Sequence, residues 1–385
     1  MCAVVSFMKR REDGWIFEPE YETMPREKLA NLQEERLGKI VRYCYERVPL
    51  YKQKFKEASI TPDDIKTLDD LKKIPFTTKE DLRKAYPFGM LAADISEVLE
   101  LHASSGTTGH PTTCAYTKGD LEVWSKVMAR IYASAGTRKG DIVQNAYGYG
   151  LFTGGLGFHY GALKIGAAIL PISAGQTERQ LKLAKEYGTT VLTCTPTYAA
   201  HLGEYAREKL GIDPIKELKW RIGLFGAEAW SEELRQRIEE LLGLEAFDIY
   251  GLSEIIGPGV SVECPQHNGL HIFEDHFLAE IVNPSTGEPV KEGEVGELVL
   301  TTLTRETTPQ LRFRTGDLTK LTAEECECGR TIARMGRVIG RADDMLKVRG
   351  VKFWPSTVEH ALLTVEGSSQ NYEIIVDRPA ELDVM

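Results

Sequence analysis

From about residue 98 onward, short apolar runs alternate along the chain with helical patterns. Examples are the runs at 141–143, 190–192 and 221–225, which are bounded by glycine and polar residues. Short runs of this kind are typical of strands buried on both faces, so they predict a mostly parallel sheet flanked by helices. Residues 293–302 (GEVGELVLTT) alternate between apolar and polar positions instead, which predicts a small antiparallel β region. The predicted fold class is therefore α/β.

The first part of the chain, residues 1–97, has a different texture and is predicted to be mainly helical. Its clearest apolar stripe recurs at three- and four-residue spacing within 31–48, and Pro49 follows as a predicted helix end. Together with the strand-rich region it makes up a predicted large domain, 1–340. Glycines punctuate the charged stretch that follows, so residues 341–385 are predicted to form a small, partial α+β lobe.

Composition and charge exclude several function classes. The chain has 385 residues, a length that favours more than one domain. Of these residues 42% are hydrophobic and 27% charged, which is the balance of a soluble globular protein. A formal net charge of −10 argues against a nucleic-acid partner. Residues 142–163 carry no charged side chain, but six of them are glycine, which argues against a membrane span. Seven scattered cysteines form no disulfide framework, so a reducing cytoplasm is expected.

Residues 104–112 (SSGTTGHPT) are the strongest local signal for chemistry. Their glycines allow a tight turn close to a ligand, and the hydroxyls and backbone N–H groups of such a loop can donate to one anion. No Gly-Lys-Ser/Thr sequence follows, so this is not the P-loop of the common NTPases. Composition alone favours a polar surface turn, and only the order of the residues points to phosphate binding.

That order resembles the phosphate-binding loop of the adenylate-forming superfamily, which includes acyl-CoA synthetases, luciferases and nonribosomal adenylation domains. Three further segments resemble the superfamily's motifs in the right order: 250–254 (YGLSE), 315–317 (TGD) and 340–350 (GRADDMLKVRG). Each of them is weak alone, whereas four in sequence are specific. The resemblance implies an aromatic residue that stacks on adenine, a glutamate that binds Mg²⁺, an aspartate that binds both ribose hydroxyls, and a domain hinge.

Within the superfamily, the segments 145–155 (NAYGYGLFTGG), 226–228 (GAE) and 344–346 (DML) closely resemble phenylacetate–CoA ligases, and the resemblance covers nearly the whole chain. It implies that an aryl acid, ATP and CoA react through an acyl-adenylate, with phenylacetate as the first acid to test. Two other functions stay open: adenylylation of a phenolic cofactor without CoA, and nucleotide binding without catalysis. A homodimer also stays open.

The resemblance assigns roles to individual residues. A carboxylate such as Glu254 is a hard ligand for Mg²⁺, Asp317 can accept two ribose hydrogen bonds, and Tyr250 offers a flat face to adenine. The residues expected to bind ATP are Ser104, Ser105, Gly106, Thr107, Thr108, Gly109, Gly226, Ala227, Glu228, Asp248, Tyr250, Gly251, Ser253, Asp317 and Arg341. Those expected to act in catalysis are Thr107, Thr108, Glu254 and Arg341; those of the aryl pocket are Tyr147, Phe152 and Gly226; and Asp343 is the expected hinge.

A second constellation points to a metal. Cys326 and Cys328 form a Cys-x-Cys pair, and Cys264 and His271 lie upstream. Three thiols and one imidazole are a donor set that suits tetrahedral zinc. His267 is an alternative ligand, and a metal-free surface pair is the alternative interpretation. We favour structural zinc, because two adjacent exposed thiols without a metal would be open to oxidation.

The last part of the sequence departs from the pattern of the superfamily. Most adenylate-forming enzymes place a lysine near the end of the C-terminal lobe, where it contacts the reacting carboxylate and phosphate. Here no lysine follows Lys352. The expectation from sequence is an incomplete lobe that weakens adenylation rather than ATP binding.

Overall fold

The computed structural model describes residues 16–104 and 111–342, and beyond them the backbone of 346–348 and 351–353 and the single positions 358 and 374. The predicted phosphate-loop residues Ser105, Gly106, Thr107, Thr108 and Gly109 lie outside the described residues, as does the predicted hinge residue Asp343.

The described part of the N-terminal region is mostly helical. In its longest helix, Leu37, Val41 and Cys44 fall on one face at three- and four-residue spacing and are buried. Pro49 lies after the end of this helix and also takes the first position of the next one, where its missing N–H costs nothing. The helices are α1 (Pro19–Glu22), α2 (Arg26–Arg47), α3 (Pro49–Glu57), α4 (Lys79–Lys84), α5 (Lys118–Ser134), α6 (Thr153–Ile165), α7 (Thr177–Tyr187), α8 (Pro196–Lys209), α9 (Pro214–Glu217) and α10 (Glu232–Leu242).

The strands follow the predicted apolar runs and extend beyond them. They are β1 (Glu100–Ala103), β2 (Thr113–Tyr116), β3 (Ile142–Asn145), β4 (Ala168–Leu170), β5 (Val191–Cys194), β6 (Ile222–Phe225), β7 (Glu245–Leu252), β8 (Gly257–Glu263), β9 (Leu270–Ile272), β10 (Phe277–Val282), β11 (Gly296–Thr302), β12 (Phe313–Thr319), β13 (Leu321–Thr322), β14 (Arg334–Met335), β15 (Gly340–Arg341), β16 (Leu346–Val348) and β17 (Val351–Phe353).

One large sheet dominates the described residues, with nine strands in the order β13-β14-β9-β8-β7-β6-β5-β3-β4. From β7 to β4 all neighbouring strands are parallel, as predicted. From β7 to β13 all neighbours are antiparallel. The antiparallel part is therefore larger than the sequence pattern indicated, because several of its strands are only two or three residues long and carry no detectable alternation.

A second, antiparallel sheet has the order β10-β11-β12-β15. Its last pair brings Arg341 directly opposite Asp317. Gly340 and Arg341 thus pair with a strand of the large domain, while the predicted domain division after residue 340 stays a prediction. A short ribbon of β1 and β2 flanks the segment in which the phosphate loop is predicted.

The glycine-rich segment 142–163 forms β3, a loop and most of α6 rather than a single long helix. Gly157 and Gly161 lie on one face of α6 and allow it to approach α5 closely. A Cβ atom on Gly161 would lie 2.5 Å from Cβ of Met128, and one on Gly157 would lie 2.7 Å from the Trp124 ring. Within the described residues, no helix combines the length and the apolar character that crossing a membrane requires.

Candidate active site

A cavity of about 420 Å³ lies where the parallel strands β6 and β7 end. Ligands of open α/β sheets bind at this edge, because the loops that follow the strands diverge there. One wall is the segment 227–230 after β6, and the second is 248–252 of β7. The opposite wall comes from β12 and β15, through Asp317 and Arg341.

Three of the predicted nucleotide residues meet in this cavity. Asp317 accepts a hydrogen bond from Nη1 of Arg341 at 2.8 Å through Oδ1, and one from the Tyr250 hydroxyl at 2.6 Å through Oδ2. Burial raises the pKa of Tyr250, and the charge of Asp317 raises it further, so the phenol stays a neutral donor. The carboxylate, the aromatic ring and the guanidinium are thereby held in fixed positions relative to one another.

The segment 226–228 is shaped by its backbone. Gly226 has no room for a side chain, because an added Cβ atom would lie 2.5 Å from the carbonyl oxygen of Ile249. Ala227 has a φ of 69°, a left-handed conformation that costs energy for any residue except glycine. Glu228 accepts a hydrogen bond from the Thr197 hydroxyl at 2.7 Å. The residues of this strained turn, 227–229, are exposed and line the cavity.

Asp248 also lines this cavity, within a network of charges. Its backbone N–H donates to Glu263 at 2.8 Å, and Glu263 accepts two hydrogen bonds from Arg235 at 2.7 and 2.6 Å. Nε of Arg337 lies 4.0 Å from a carboxylate oxygen of Asp248. Burial raises the pKa of the Asp248 carboxyl and the charge of Glu263 raises it further, while Trp230 and Arg235 lower it.

A smaller cavity of about 140 Å³ adjoins the first. The two cavities share the lining residues Ala227, Ile249, Gly251 and Leu252, so they lie directly next to each other. Gly251 lies at their junction, where an added Cβ atom would lie 2.2 Å from the carbonyl oxygen of Gly257. No other residue fits there without moving the backbone.

The walls of the smaller cavity are mainly apolar. Tyr147 stacks on Phe158 with ring centroids 4.8 Å apart, and its hydroxyl donates to the carbonyl of Gly226 at 3.2 Å. Phe152 also lines the cavity and is 45% exposed, so it borders the opening. The predicted aryl-pocket residues therefore lie together. Ser253, predicted to bind ATP, contributes a hydroxyl that lies 3.1 Å from the hydroxyl of Thr153.

The described residues around the predicted phosphate loop bring its two ends together. The backbone N–H of Ser104 donates to the carbonyl of Thr112 at 3.0 Å, and the N–H of Thr112 donates to the Ser104 hydroxyl at 2.8 Å. Glu254 lies in the turn between β7 and β8. Burial raises the pKa of Cys114 on β2, and the charge of Glu254 raises it further. Among the described residues, its carboxylate makes no hydrogen bond or ion pair, so it is available to a cation.

The cysteine cluster lies apart from these cavities. The ligand atoms of Cys264, His271, Cys326 and Cys328 all lie within 4.8 Å of one another. Sγ of Cys264 is 3.7 Å from Sγ of Cys326, and Sγ of Cys328 is 3.3 Å from Nε2 of His271. The hydrogen bond from Cys264 is the main cause that lowers the pKa of Cys328, which favours the thiolate that a metal requires. The alternative ligand His267 instead contacts the carboxylates of Glu245 and Glu263.

The family of the chain follows from its similarity to known proteins. The sequence profile of the AMP-binding enzymes matches residues 29–303. Phenylacetate–coenzyme A ligase of Thermus thermophilus is 53% identical over 96% of this chain and 82% of its own length. The enzyme of that name from Escherichia coli is 46% identical over 94% and 82%. This chain belongs to the phenylacetate–coenzyme A ligase family. It is therefore an acid–thiol ligase that uses ATP and coenzyme A.

Solved structures agree with the predicted fold class. A 2-hydroxyisobutyryl-CoA ligase in its postadenylation state matches with a TM-score of 0.90 at 29% identity, over 98% of this chain and 81% of that one. The predicted α/β fold and the resemblance to phenylacetate–coenzyme A ligases are both confirmed.

The two cavities also contain residues that the sequence reasoning missed. Trp230 and Arg337 line the larger cavity, and Thr153 and Phe158 line the smaller one. Each lies within a few residues of a recognised motif, which is the only signal the sequence offered. Which of these side chains face a cavity depends on how β6, β7 and the loop before β15 pack, and the sequence does not specify that packing.

Proposed function

We propose that this chain adenylates phenylacetate in the two adjoining cavities and then transfers the acyl group to coenzyme A. The observation that carries the proposal is that the two cavities share four lining residues. The cavity of about 420 Å³ contains polar side chains suited to a ribose and a base, and the cavity of about 140 Å³ beside it is mainly apolar. A phenyl ring in the apolar cavity would place its carboxylate near the α-phosphate of ATP in the larger one.

In this proposal, the residues of the larger cavity position the nucleotide. Asp317 accepts hydrogen bonds from the ribose hydroxyls, and the ring of Tyr250 packs against adenine. The guanidinium of Arg341 places a fixed positive charge beside them. The loop residues Thr107 and Thr108 are proposed to donate to the phosphates. Positioning the two reactants and stabilising the charge that develops on the phosphoryl oxygens provide the acceleration.

Tyr147, Phe152 and the stacked Phe158 are proposed to hold the aryl ring. Their second role is to exclude water, because the acyl-adenylate would otherwise be hydrolysed before the thiol arrives. Asp343 is proposed as the hinge at which a C-terminal lobe changes its orientation between the two half-reactions.

Magnesium fits the residues around Glu254. This carboxylate is half-buried and without another partner among the described residues, and hard oxygen ligands of this kind bind Mg²⁺ together with substrate phosphates. When bound, the ion would neutralise phosphate charge. Glu254 is the residue of this chain that we propose as its protein ligand.

The experiment that tests the function is a product analysis. We expect the purified protein, given ATP, Mg²⁺, phenylacetate and coenzyme A, to form phenylacetyl-CoA, AMP and pyrophosphate. Benzoate, which lacks the methylene group, and naphthylacetate, which carries a larger fused ring system, should both react more slowly. Formation of an adenylylated phenol without any thioester would contradict the proposal, as would nucleotide binding without turnover.

Replacing Glu254 by glutamine should lower phenylacetate-dependent pyrophosphate exchange at least about tenfold, or ~1.4 kcal/mol of transition-state stabilisation. The amide is a much weaker ligand for Mg²⁺, so the loss should shrink when the Mg²⁺ concentration is raised. The matched control is Glu46→Gln, at an exposed position of α2 that lines neither cavity. A wild-type exchange rate in Glu254→Gln would show that this residue does not bind the metal.

We further propose that the cysteine cluster binds one structural Zn²⁺. The four donor atoms are close enough for one ion, and their chemistry matches a Cys₃His site. His271 is fully buried, and its Nε2 lies 3.3 Å from Sγ of Cys328, so Nε2 is the ring nitrogen that we propose as the metal ligand. Metal analysis of protein purified without chelator should find about one zinc per chain.

A further inference from the structure

The backbone carbonyl of Leu151 joins two segments that lie far apart in the sequence. It accepts a hydrogen bond from the backbone N–H of Ala103 at 3.1 Å and a second one from Nδ1 of His102 at 3.2 Å. Both donors belong to the end of β1, whereas Leu151 belongs to the loop between β3 and α6. One carbonyl oxygen therefore ties a strand to a loop 49 positions further along the chain.

The two segments that meet at this carbonyl lead to the two parts of the proposed active site. On one side, His102 and Ala103 lead into Ser104, the first residue of the predicted phosphate-binding segment. On the other side, Leu151 is followed by Phe152, which lines the smaller cavity. The tie at Leu151 therefore fixes the spacing between the start of the phosphate-binding segment and the opening of the proposed aryl pocket.

His102 is also held by a second acceptor. Its Nε2 lies 3.2 Å from a carboxylate oxygen of Glu100, whose other oxygen accepts a hydrogen bond from the Tyr160 hydroxyl on α6. Burial raises the pKa of the Glu100 carboxyl, but the hydrogen bonds from His102 and Tyr160 outweigh it and lower that pKa. The carbonyl of Leu151 can only accept, so both ring nitrogens face acceptors and both donate when both carry a proton.

Packing keeps the His102 ring in this position. The side chain is 4% exposed, and the rings of Tyr116 and Trp124 contact it edge-on, with ring centroids 5.5 and 6.1 Å away. A side chain that is locked by packing and by hydrogen bonds can hold its partners in one geometry. The ring is therefore rigid enough to fix the Leu151 carbonyl relative to β1.

We propose that His102 is a positioning residue for the adenylation step. By donating to the Leu151 carbonyl, it keeps Phe152 and the start of the phosphate-binding segment at a fixed spacing, so that an aryl carboxylate meets the α-phosphate in a reactive geometry. His102 itself lines neither cavity. The inference rests on the proposed adenylation of an aryl acid and adds a residue on which that step depends.

Two neutral amides separate the two hydrogen bonds of the ring. In His102→Asn the amide nitrogen takes the place of Nδ1 and can still donate to Leu151, whereas in His102→Gln it takes the place of Nε2 and can donate only to Glu100. We expect His102→Gln to lower kcat of phenylacetate-dependent pyrophosphate exchange about tenfold, with KM for ATP and for phenylacetate within about twofold of the unaltered enzyme. His102→Asn should keep kcat within about threefold. Equal losses in the two variants, or a loss that appears in KM instead of kcat, would overturn the inference.

The matched control is His276, a second buried histidine. It is 6% exposed, its Nδ1 lies 2.8 Å from the Thr304 hydroxyl, and it lines neither cavity. His276→Asn and His276→Gln should lower the thermal midpoint, as the two variants at His102 do, and should leave kcat and both KM values unchanged. A kcat that simply follows the thermal midpoint across all four variants would reduce His102 to a packing role.

A second test weakens the acceptor and leaves His102 intact. Phenyllactic acid in place of Phe152 keeps the side chain but turns the peptide bond after Leu151 into an ester, whose carbonyl is a weaker acceptor. Leu151 and Phe152 are 68% and 45% exposed, so the folded state should survive this change. We expect kcat to fall about threefold with both KM values within about twofold. Leucic acid in place of Leu151 makes the same ester at the carbonyl of Gly150 and should leave kcat unchanged, so equal effects of the two esters would contradict the inference.

The outcomes separate this inference from the proposed function. If the unaltered enzyme exchanges no pyrophosphate with phenylacetate, the proposed function fails, and the inference fails with it. If the unaltered enzyme is active and the two His102 variants lose activity equally, the proposed function stands and only the inference fails. If neither His102 variant folds, the pair of esters decides.

Discussion

Replacing Asp317 by alanine should slow phenylacetate-dependent pyrophosphate exchange at least about 100-fold, or ~2.7 kcal/mol. The carboxylate is proposed to accept two ribose hydrogen bonds, and a hydrogen bond to a charged group contributes roughly 1.5–3 kcal/mol. Its loss also releases Arg341 and the Tyr250 hydroxyl, both of which it binds directly. The measurement is exchange at saturating phenylacetate with varied ATP.

Two comparisons separate the loss of ribose binding from the release of Arg341 and Tyr250. Tyr250→Phe removes the hydroxyl that donates to Asp317 and keeps the aromatic ring, so it should cost no more than about threefold. In the unaltered enzyme, 2′-deoxy-ATP and 3′-deoxy-ATP should both be poor substrates. In Asp317→Ala they should be used as well as ATP, because the group that reads the missing hydroxyls is gone.

The opposite pattern would assign Asp317 differently. If Asp317→Ala is slow but still discriminates against both deoxy nucleotides, the ribose is read elsewhere and Asp317 acts only by positioning Arg341 and Tyr250. A variant that exchanges pyrophosphate at the rate of the unaltered enzyme would remove Asp317 from the site altogether.

The sequence predicted the parts of the fold that local patterns encode. The runs at 141–143, 190–192 and 221–225 became β3, β5 and β6, because short, mostly buried apolar runs between helical patterns are a strong signal for a parallel strand. The two-residue strands β13 and β14 carry no such signal. They form because the edge of β9 offers backbone hydrogen-bonding groups with which β14 pairs, and β13 then pairs with β14.

The candidate site was predicted through motifs rather than through geometry. Tyr250 and Asp317 are 67 positions apart, and nothing in the residues alone says that the phenol donates to the carboxylate. The resemblance placed both at the nucleotide and left their contact unstated. Trp230 escaped prediction for a related reason: whether its ring lines the cavity depends on how the loop after β6 packs against β7.

The choice between the two candidate zinc histidines shows the same limit. His267 and His271 are both close in sequence to Cys264, and spacing alone left them equal. The pairing of β9 with β8 and β14 places His271 against the cysteines. The ring of His267 instead contacts Arg235 and Glu263. Burial lowers the pKa of His267, but hydrogen bonds to Glu245 and Glu263 outweigh it and raise that pKa to about 9, so this ring carries a proton and is a poor metal ligand.

Replacing Cys326 and Cys328 together by serine should remove the proposed zinc and lower the thermal midpoint by about 5–10 °C. A metal bound about a thousandfold above its dissociation constant stabilises the folded state by about 4 kcal/mol. The cluster joins the end of β8 and β9 to the loop before β14, so without the metal that loop loses its attachment. Zinc content and the thermal midpoint are measured on the same preparations.

The control for the metal is His267→Gln, which lies beside the cluster in sequence and outside it in space. This variant should lose stability, because it breaks the contacts to Glu245 and Glu263, yet it should keep about one zinc per chain. The cysteine variant should instead contain no zinc. Because the cluster lines neither cavity, both variants should retain ATP binding at a temperature where they are folded. Equal zinc content in the cysteine variant and the unaltered enzyme would mean that the metal is bound elsewhere. If the unaltered enzyme is stable and contains no zinc, the thiols pack together without a metal.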